Sequence, residues 1–286
     1  MANKEELIRV FFDTYDWCRS TEKLRRSIKK SQGKTMIYRP ETELELPQRK
    51  REAAGTVTVT EERSFEAAMR LHRQYPQDRI AVLNFASATH PGGGVRAGSS
   101  AQEESLCRCS TLYPLLNTQE LKEGFYQIHK DSGDCRYSDT CIYTPNVVIC
   151  KTDAILPERL PEGDWVMTDV LTCAAPNLNR VYQPGRNPDT AESLQISSEE
   201  LYEIHISRAR RILTVAALHE IDCFVSGAFG CGAFRNDPAI VAGAWKKVLP
   251  EFDGYFRELV FAVYCGRQKN NFLTFREILG KGRECC

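Results

Sequence analysis

The chain has 286 residues, 42% hydrophobic and 27% charged, which suits a soluble globular protein of one large α/β domain or two small ones. Lysine plus arginine equals aspartate plus glutamate, 38 each, so no global field draws the molecule to nucleic acid or to an anionic membrane. A polyanionic ligand would have to be held by local donors, and no sequence-specific nucleic-acid partner is expected.

The opening stretch, MANKEELIRVFFDTYDW, is charged from its first turn and has neither the apolar run nor the cleavage site of a signal peptide. No apolar stretch approaches the ~18 residues of a membrane span, so a cytoplasmic protein with no membrane partner is expected. Residues 3–31 place Leu7, Val10, Phe11, Tyr15, Leu24 and Ile28 at helical spacing. They predict two helices broken near Ser20-Thr21, whose hydroxyls suit a helix N-cap. Residues 33–54, polar and carrying Pro40 and Pro47, read as a loop or a strand fragment wrapped on the surface.

From Thr56 the pattern changes. Thr56–Thr60 alternates as a strand, Glu61–Arg73 carries a helix face, and Arg79–Phe85 is a nearly continuous apolar run typical of a strand covered on both faces. Further strands are predicted over Cys141–Cys150, Trp165–Ala174, Asp222–Ser226 and Leu259–Cys265. Helices are predicted over Ala101–Tyr113, Gln119–His129, Ser197–His219, Pro238–Leu249 and Phe272–Leu279, with a surface loop over Tyr182–Ile196. Strands alternating with helices argue an α/β sandwich around a central sheet.

The twelve cysteines are scattered, and Cys150, Cys173, Cys223 and Cys265 fall inside apolar runs, so they read as reduced thiols packed as small hydrophobes. Neither the cysteines nor the five histidines have the spacing of a zinc site, and no metal or other cofactor is expected. The terminal Cys285-Cys286 lacks a lipidation pattern and reads as a frayed tail.

Two segments stand apart from ordinary loops. In the first, the strand ending at Phe85 runs into Gly92-Gly93-Gly94, and a helix opens near Gln102-Glu103-Glu104. Consecutive glycines allow positive φ and close approach of backbone to a ligand, and their N–H groups beside a helix N-terminus make an anion site. Two carboxylates in a first helical turn also have a plain structural reading, as complements to the helix dipole. The second segment is Ser226-Gly-Ala-Phe-Gly-Cys-Gly-Ala-Phe234, again after a buried strand and before a helix opening at Pro238. Gly227, Gly230 and Gly232 can bring donors around a pyrophosphate, and Phe234 can pack on a ring. Two such turns after interior strands fit a phosphate-bearing ligand at the sheet's carboxyl edge.

Gly-Gly-Gly, seven residues, then Gln-Glu-Glu resembles the signature of poly(ADP-ribose) glycohydrolases. Ser226–Phe234 resembles that family's diphosphate loop. Leu83-Asn-Phe-Ala-Ser87, Tyr143-Thr-Pro-Asn146, Ala174-Ala-Pro-Asn177 and Phe234-Arg-Asn-Asp-Pro238 resemble its shorter, bacterial-type branch. The resemblance spans roughly residues 55–280. It implies a three-layer α/β/α macrodomain-like sandwich with a mixed central sheet. Residues 1–54 would form an N-terminal helical extension packed on a catalytic domain of residues 55–286.

The resemblance further implies that Glu104 is the catalytic glutamate, that Glu103 binds ribose hydroxyls, and that Gln102 adjoins them. It puts Asn84, Ala86, Ser87, Gly92, Gly93 and Gly94 on the ligand from one side. Gly227, Ala228, Phe229, Gly230, Cys231, Gly232, Ala233 and Phe234 would hold the diphosphate and distal ribose from the other. Asn84 stands where animal-type members have aspartate, Ser87 and Ala228 replace asparagines, and no counterpart of their long tyrosine-bearing clasp is present. The expected ligand is ADP-ribose or its polymer, and the expected substrates are ADP-ribosylated proteins. The activity implied is hydrolysis of ribose–ribose bonds, from the chain end. A hydrolase for single ADP-ribose units and a non-catalytic ADP-ribose reader remain open. Adjacent helical residues diverge by about 100°, so Glu103 and Glu104 are not expected to flank one glycosidic bond, and a single acid must serve as acid and then base.

Overall fold

The computed structural model describes residues 2–179, 196–266 and 269–280. The loop predicted over Tyr182–Ile196 falls almost wholly outside them, as does Cys285-Cys286. Helices α1 (Lys4–Ser20) and α2 (Glu22–Gln32) open the chain. Asn3 caps α1, accepting from the Glu6 amide while Glu6 accepts from the Asn3 amide. Thr21 takes the N-cap place of α2, as its sequence suggests, but its hydroxyl makes no capping bond. Strand β1 (Met36–Tyr38) is the fragment anticipated within residues 33–54.

The core alternates β2 (Thr56–Thr60), α3 (Ser64–Gln74), β3 (Ile80–Phe85), α4 (Gln102–Cys109), α5 (Leu112–Leu116), α6 (Gln119–Leu121), α7 (Ile128–Ser132), β4 (Cys141–Ile149), β5 (Val166–Cys173), α8 (Ser198–Leu218), β6 (Cys223–Ser226), α9 (Pro238–Val248), β7 (Glu258–Ala262) and α10 (Asn270–Leu279). The seven strands form one sheet in the order β1-β4-β5-β3-β6-β7-β2. The pairs β1–β4 and β4–β5 are antiparallel and the other four are parallel, so the sheet is mixed. Each face carries its own apolar cluster. Val82, Val225 and Val260 face α1–α5, while Leu83, Phe224 and Phe261 face α8–α10. Period-two alternation, hidden in the sequence by burial on both faces, thus reappears as two cores.

Three predicted elements differ from the observed ones. The helix expected over Ala101–Tyr113 breaks at Ser110, whose extended backbone bridges to Ile149 and whose hydroxyl accepts from the Leu112 amide. Serine offers the chain a local alternative to helical bonding, and here the chain takes it. The helix over Gln119–His129 continues to Ser132 but widens into a π-turn at Lys122–Gln127. The last strand ends at Ala262, which leaves Cys265 partly exposed in the following loop. Every described cysteine is a free thiol. No described helix is long and apolar enough to cross a membrane.

Candidate active site

Three parallel strands, β3, β6 and β7, end side by side, and the segments leaving them meet at one mouth. A cavity of about 320 Å³ lies there. Of the residues singled out in the sequence, Ser87, Gln102, Glu103, Glu104, Ala228, Phe229, Gly230, Gly232, Ala233 and Phe234 line it. Asn84, Ala86, Gly92, Gly93, Gly94, Gly227 and Cys231 are not among its lining residues. Among the described residues, no group of three or more metal-ligating side chains is clustered.

The glutamate pair is buried, Glu103 at 2% exposure and Glu104 at 7%. Charged carboxylates are rarely so enclosed without donors, and the two are treated very differently. Glu103 is tied down: its Oε2 accepts from the Ser87 amide at 2.7 Å and its Oε1 from Asn84 Nδ2 at 3.2 Å. Glu104 Oε1 accepts from the Gly94 amide at 2.9 Å, while Oε2 is buried with no partner among the described residues. Although adjacent helical positions diverge, both side chains bend to the glycine turn. A β-carbon on Gly93 would lie 2.5 Å from Glu104 Oε1 and 3.1 Å from Glu103 Oε2. The carboxylates therefore share one side of the site.

Burial, with the Glu104 charge as a smaller contribution, pushes Glu103 up to about 8 against the lowering effect of its donors. The proton is then held more tightly in the folded than in the unfolded chain. Stability from this group is present below the ordinary value of 4.5 and is lost as pH rises toward 8. Glu103→Gln is accordingly expected to melt close to the parent at pH 4.5 and several degrees above it at pH 8.5. Thermal melts at the two values check this, and a Tm difference independent of pH would contradict it.

Gln102 serves the scaffold first. Its amide accepts from Phe85 N and donates to Leu83 O and Ser64 Oγ, stitching α4 to the end of β3 and the start of α3.

The second loop is fastened by a residue that the sequence marked only as part of a motif. Asn236 Nδ2 donates to Pro176 O, Gly230 O and Phe234 O, and its Oδ1 meets His205 Nε2 at 2.8 Å. Gly227 is required for packing, since a β-carbon there would lie 2.5 Å from Ala262 O. Gly230 adopts φ +80° against Ala175 and Asn236. Gly232 is exposed on the cavity lining and has nothing within 4 Å of a would-be β-carbon. Phe229 is buried edge-on to Phe85, and Phe234 lies tilted against Tyr137.

Sequence reasoning missed the third wall. Tyr264, 51% exposed, comes just after β7 at the cavity mouth, and the Arg63 guanidinium lies 4.0 Å from its ring centroid. Its position after a parallel strand was a usable signal, because the same edge rule pointed to both glycine loops. Asp153 carries no such signal. It arrives from the loop after β4, and its Oδ2 accepts from Phe65 N at the start of α3.

A mixed sheet between helical layers, with its site at the carboxyl edge of the parallel strands, is a macrodomain-like α/β sandwich. Residues 13–152 match the family model described as microbial-type PARG, catalytic domain. Solved structures agree over most of the chain. Poly(ADP-ribose) glycohydrolase from Thermomonospora curvata is 31% identical with a TM-score of 0.80, covering 96% of this chain and 100% of its own. The same enzyme bound to the inhibitor ADP-HPD is 30% identical with a TM-score of 0.77, at 96% and 99% coverage. The Deinococcus radiodurans enzyme in complex with ADP-ribose is 35% identical with a TM-score of 0.72, at 88% and 96% coverage. No curated protein sequence matches. The chain belongs to the microbial-type poly(ADP-ribose) glycohydrolases.

Proposed function

We propose that this protein hydrolyses the ribose–ribose O-glycosidic bonds of poly(ADP-ribose), releasing ADP-ribose from the chain end, with Glu104 carrying the proton. The observation that carries the reading is the division of labour in the glutamate pair. Glu103 has a donor on each oxygen, whereas Glu104 has a buried oxygen with no partner among the described residues. A carboxyl on the cavity lining with one oxygen left unsatisfied is suited to passing a proton to the leaving ribose oxygen. The same group then takes a proton from the water that attacks the oxocarbenium-like centre. With both carboxylates on one side of the turn, the two-sided arrangement of paired glycosidase carboxylates does not apply.

The rest of the ligand is matched along the cavity. Backbone amides around the open Gly232 suit the diphosphate, and Phe234 suits the distal ribose. Tyr264, backed by Arg63, offers a flat face for the adenine ring. The bound ligands of the Deinococcus and Thermomonospora enzymes support ADP-ribose as the occupant. Glu103 deepens the assignment. A carboxyl whose two oxygens are each fixed by one donor keeps lone pairs for sugar hydroxyls, which favours a ribose on the leaving side over a protein side chain without that hydroxyl pair.

The test is digestion of an automodified, polymer-bearing protein. Free ADP-ribose as the early product and a single protein-linked unit at the end are the expected outcome. Early release of long oligomers would overturn the end preference. Complete deprotection of the protein would overturn the ribose–ribose assignment, and binding without release would reduce the protein to a reader.

A further inference from the structure

We infer that Arg108, a buried arginine outside the cavity lining, is a positioning residue that holds the Gly94 amide on Glu104 by pinning the loop between them. This rests on the assignment of the proton transfer to Glu104. Arg108 is 1% exposed and one helical turn beyond Glu104 on α4. Both of its side-chain partners are neutral. Nη1 donates to the Ser99 carbonyl at 2.6 Å and Nη2 to the Ser105 hydroxyl at 3.3 Å, while Nε has no partner among the described residues. A guanidinium enclosed in this way costs stability that a hydrophobic side chain of similar volume would not. Packing alone therefore does not account for an arginine here.

Its hydrogen bonds do. From Ser99 the chain of contacts continues inward: the Ser99 amide donates to the Gly94 carbonyl at 3.1 Å, and the Gly94 amide donates to Glu104 Oε1 at 2.9 Å. Arg108 and Glu104 thus close a ring through α4 and the loop of residues 94–99. Within the loop, the 3-10 turn Val95–Ala97 is closed by backbone bonds from Ala97 N to Gly94 O and from Gly98 N to Val95 O, and it ends at a left-handed Gly98. What Arg108 sets is therefore where this closed turn sits against α4. From outside, the loop is braced by α1. Gly98 presses against the Lys4 backbone, the Arg96 guanidinium covers Phe12 at 5.4 Å, and the Thr14 hydroxyl donates to the Arg108 carbonyl at 2.6 Å. The N-terminal helix and Arg108 grip the same loop from two sides, and the one amide that this loop delivers to the carboxyl is Gly94's.

Release of that grip would let the Glu104 carboxyl swing while leaving the diphosphate loop of residues 227–234 untouched. The expected signature is a split between turnover and affinity. Arg108→Met should lower kcat on the order of tenfold to a hundredfold, as small misplacements of a reacting group do, with ADP-ribose affinity within about twofold of the parent. Arg108→Lys keeps the charge and one donor, and should recover part of the lost turnover. Amide hydrogen exchange across residues 92–100 supplies a readout that needs no activity. Exchange there should quicken in Arg108→Met and be partly restored in Arg108→Lys, with residues 227–234 unchanged.

Parent-level kcat in a folded Arg108→Met protein, or unaltered exchange across 92–100, would overturn the inference. So would a lysine variant no better than methionine in both readouts. Should the parent itself release no ADP-ribose from polymer, the reading of the reaction fails, and the exchange comparison still decides whether Arg108 pins the loop. If Arg108→Met does not fold, the lysine variant decides: it should show reduced kcat, unchanged affinity and quickened exchange, and parent values in all three would overturn the inference.

Discussion

Replacing Glu104 by glutamine is expected to remove hydrolysis while ADP-ribose still binds. The amide matches the carboxyl in shape, and its oxygen can keep the bond from the Gly94 amide that Glu104 Oε1 now accepts. The loop should therefore stay in place. What is lost is the second oxygen, Oε2, which is buried and unpartnered among the described residues and is the carboxyl oxygen of this turn that no protein donor occupies. Removal of a positioned general acid–base costs on the order of 10²–10⁴ in rate. The measurement pairs turnover of purified polymer with calorimetric titration of ADP-ribose into the variant. Substantial residual turnover would remove Glu104 from the chemistry. Loss of binding together with turnover would make it a ligand contact.

The neighbouring carboxyl should behave otherwise. Glu103 has both oxygens fixed, by Ser87 and Asn84, with lone pairs left for sugar hydroxyls, so its replacement should act on sugar binding and on stability at alkaline pH. Opposite responses from adjacent residues of one helical turn would be hard to explain by general damage to the fold.

Much of this was legible in the sequence, and unevenly so. The strand order was not, because the register of a sheet buried on both faces leaves no alternation to read: β3, IAVLNF, is hydrophobic at five of six positions. The elements themselves were mostly visible from apolar runs and breakers. The failures fall where a local polar contact overrode helical periodicity, as at Ser110, or where the helix widened into a π-turn around Gly124 and Phe125.

At the site, the glycine triplet, the glutamate pair and the second glycine loop stood out because few other purposes require those residues together. Their supports did not. Asn236, Arg108 and Asp153 come from separate elements and act through three-dimensional contacts that no spacing along the chain encodes. Adjacent helical positions lie about 100° apart, from which the two glutamates were not expected to flank one glycosidic bond. Side chains of three torsions bring both carboxyls beside Gly93 all the same, Glu104 on the Gly94 amide and Glu103 on Ser87 and Asn84.

The glycine turn itself yields the other large effect, in Gly93→Ala. Gly93 has φ +55°, a left-handed conformation that alanine adopts at a cost of about 1–2 kcal/mol. That strain alone should lower the melting temperature by a few degrees without touching chemistry. The collision is specific. The new β-carbon would lie 2.5 Å from Glu104 Oε1, closer than any real contact, and 3.1 Å from Glu103 Oε2. Both partners are the ends of flexible side chains, so the fold survives by displacing them, and the displaced atom belongs to the group that moves the proton.

A shift of roughly an ångström in a reacting group can cost on the order of 10² in rate, and a loss of at least that size in kcat is expected here. Gly133→Ala separates the two contributions. Gly133 has φ +63° and nothing within 4 Å of a β-carbon, so it carries the same backbone strain with no collision. The two variants should melt at similarly lowered temperatures, and only Gly93→Ala should lose turnover. Near-parent kcat in Gly93→Ala would mean that Glu104 tolerates displacement, and the assignment of the proton transfer to that carboxyl would have to be withdrawn.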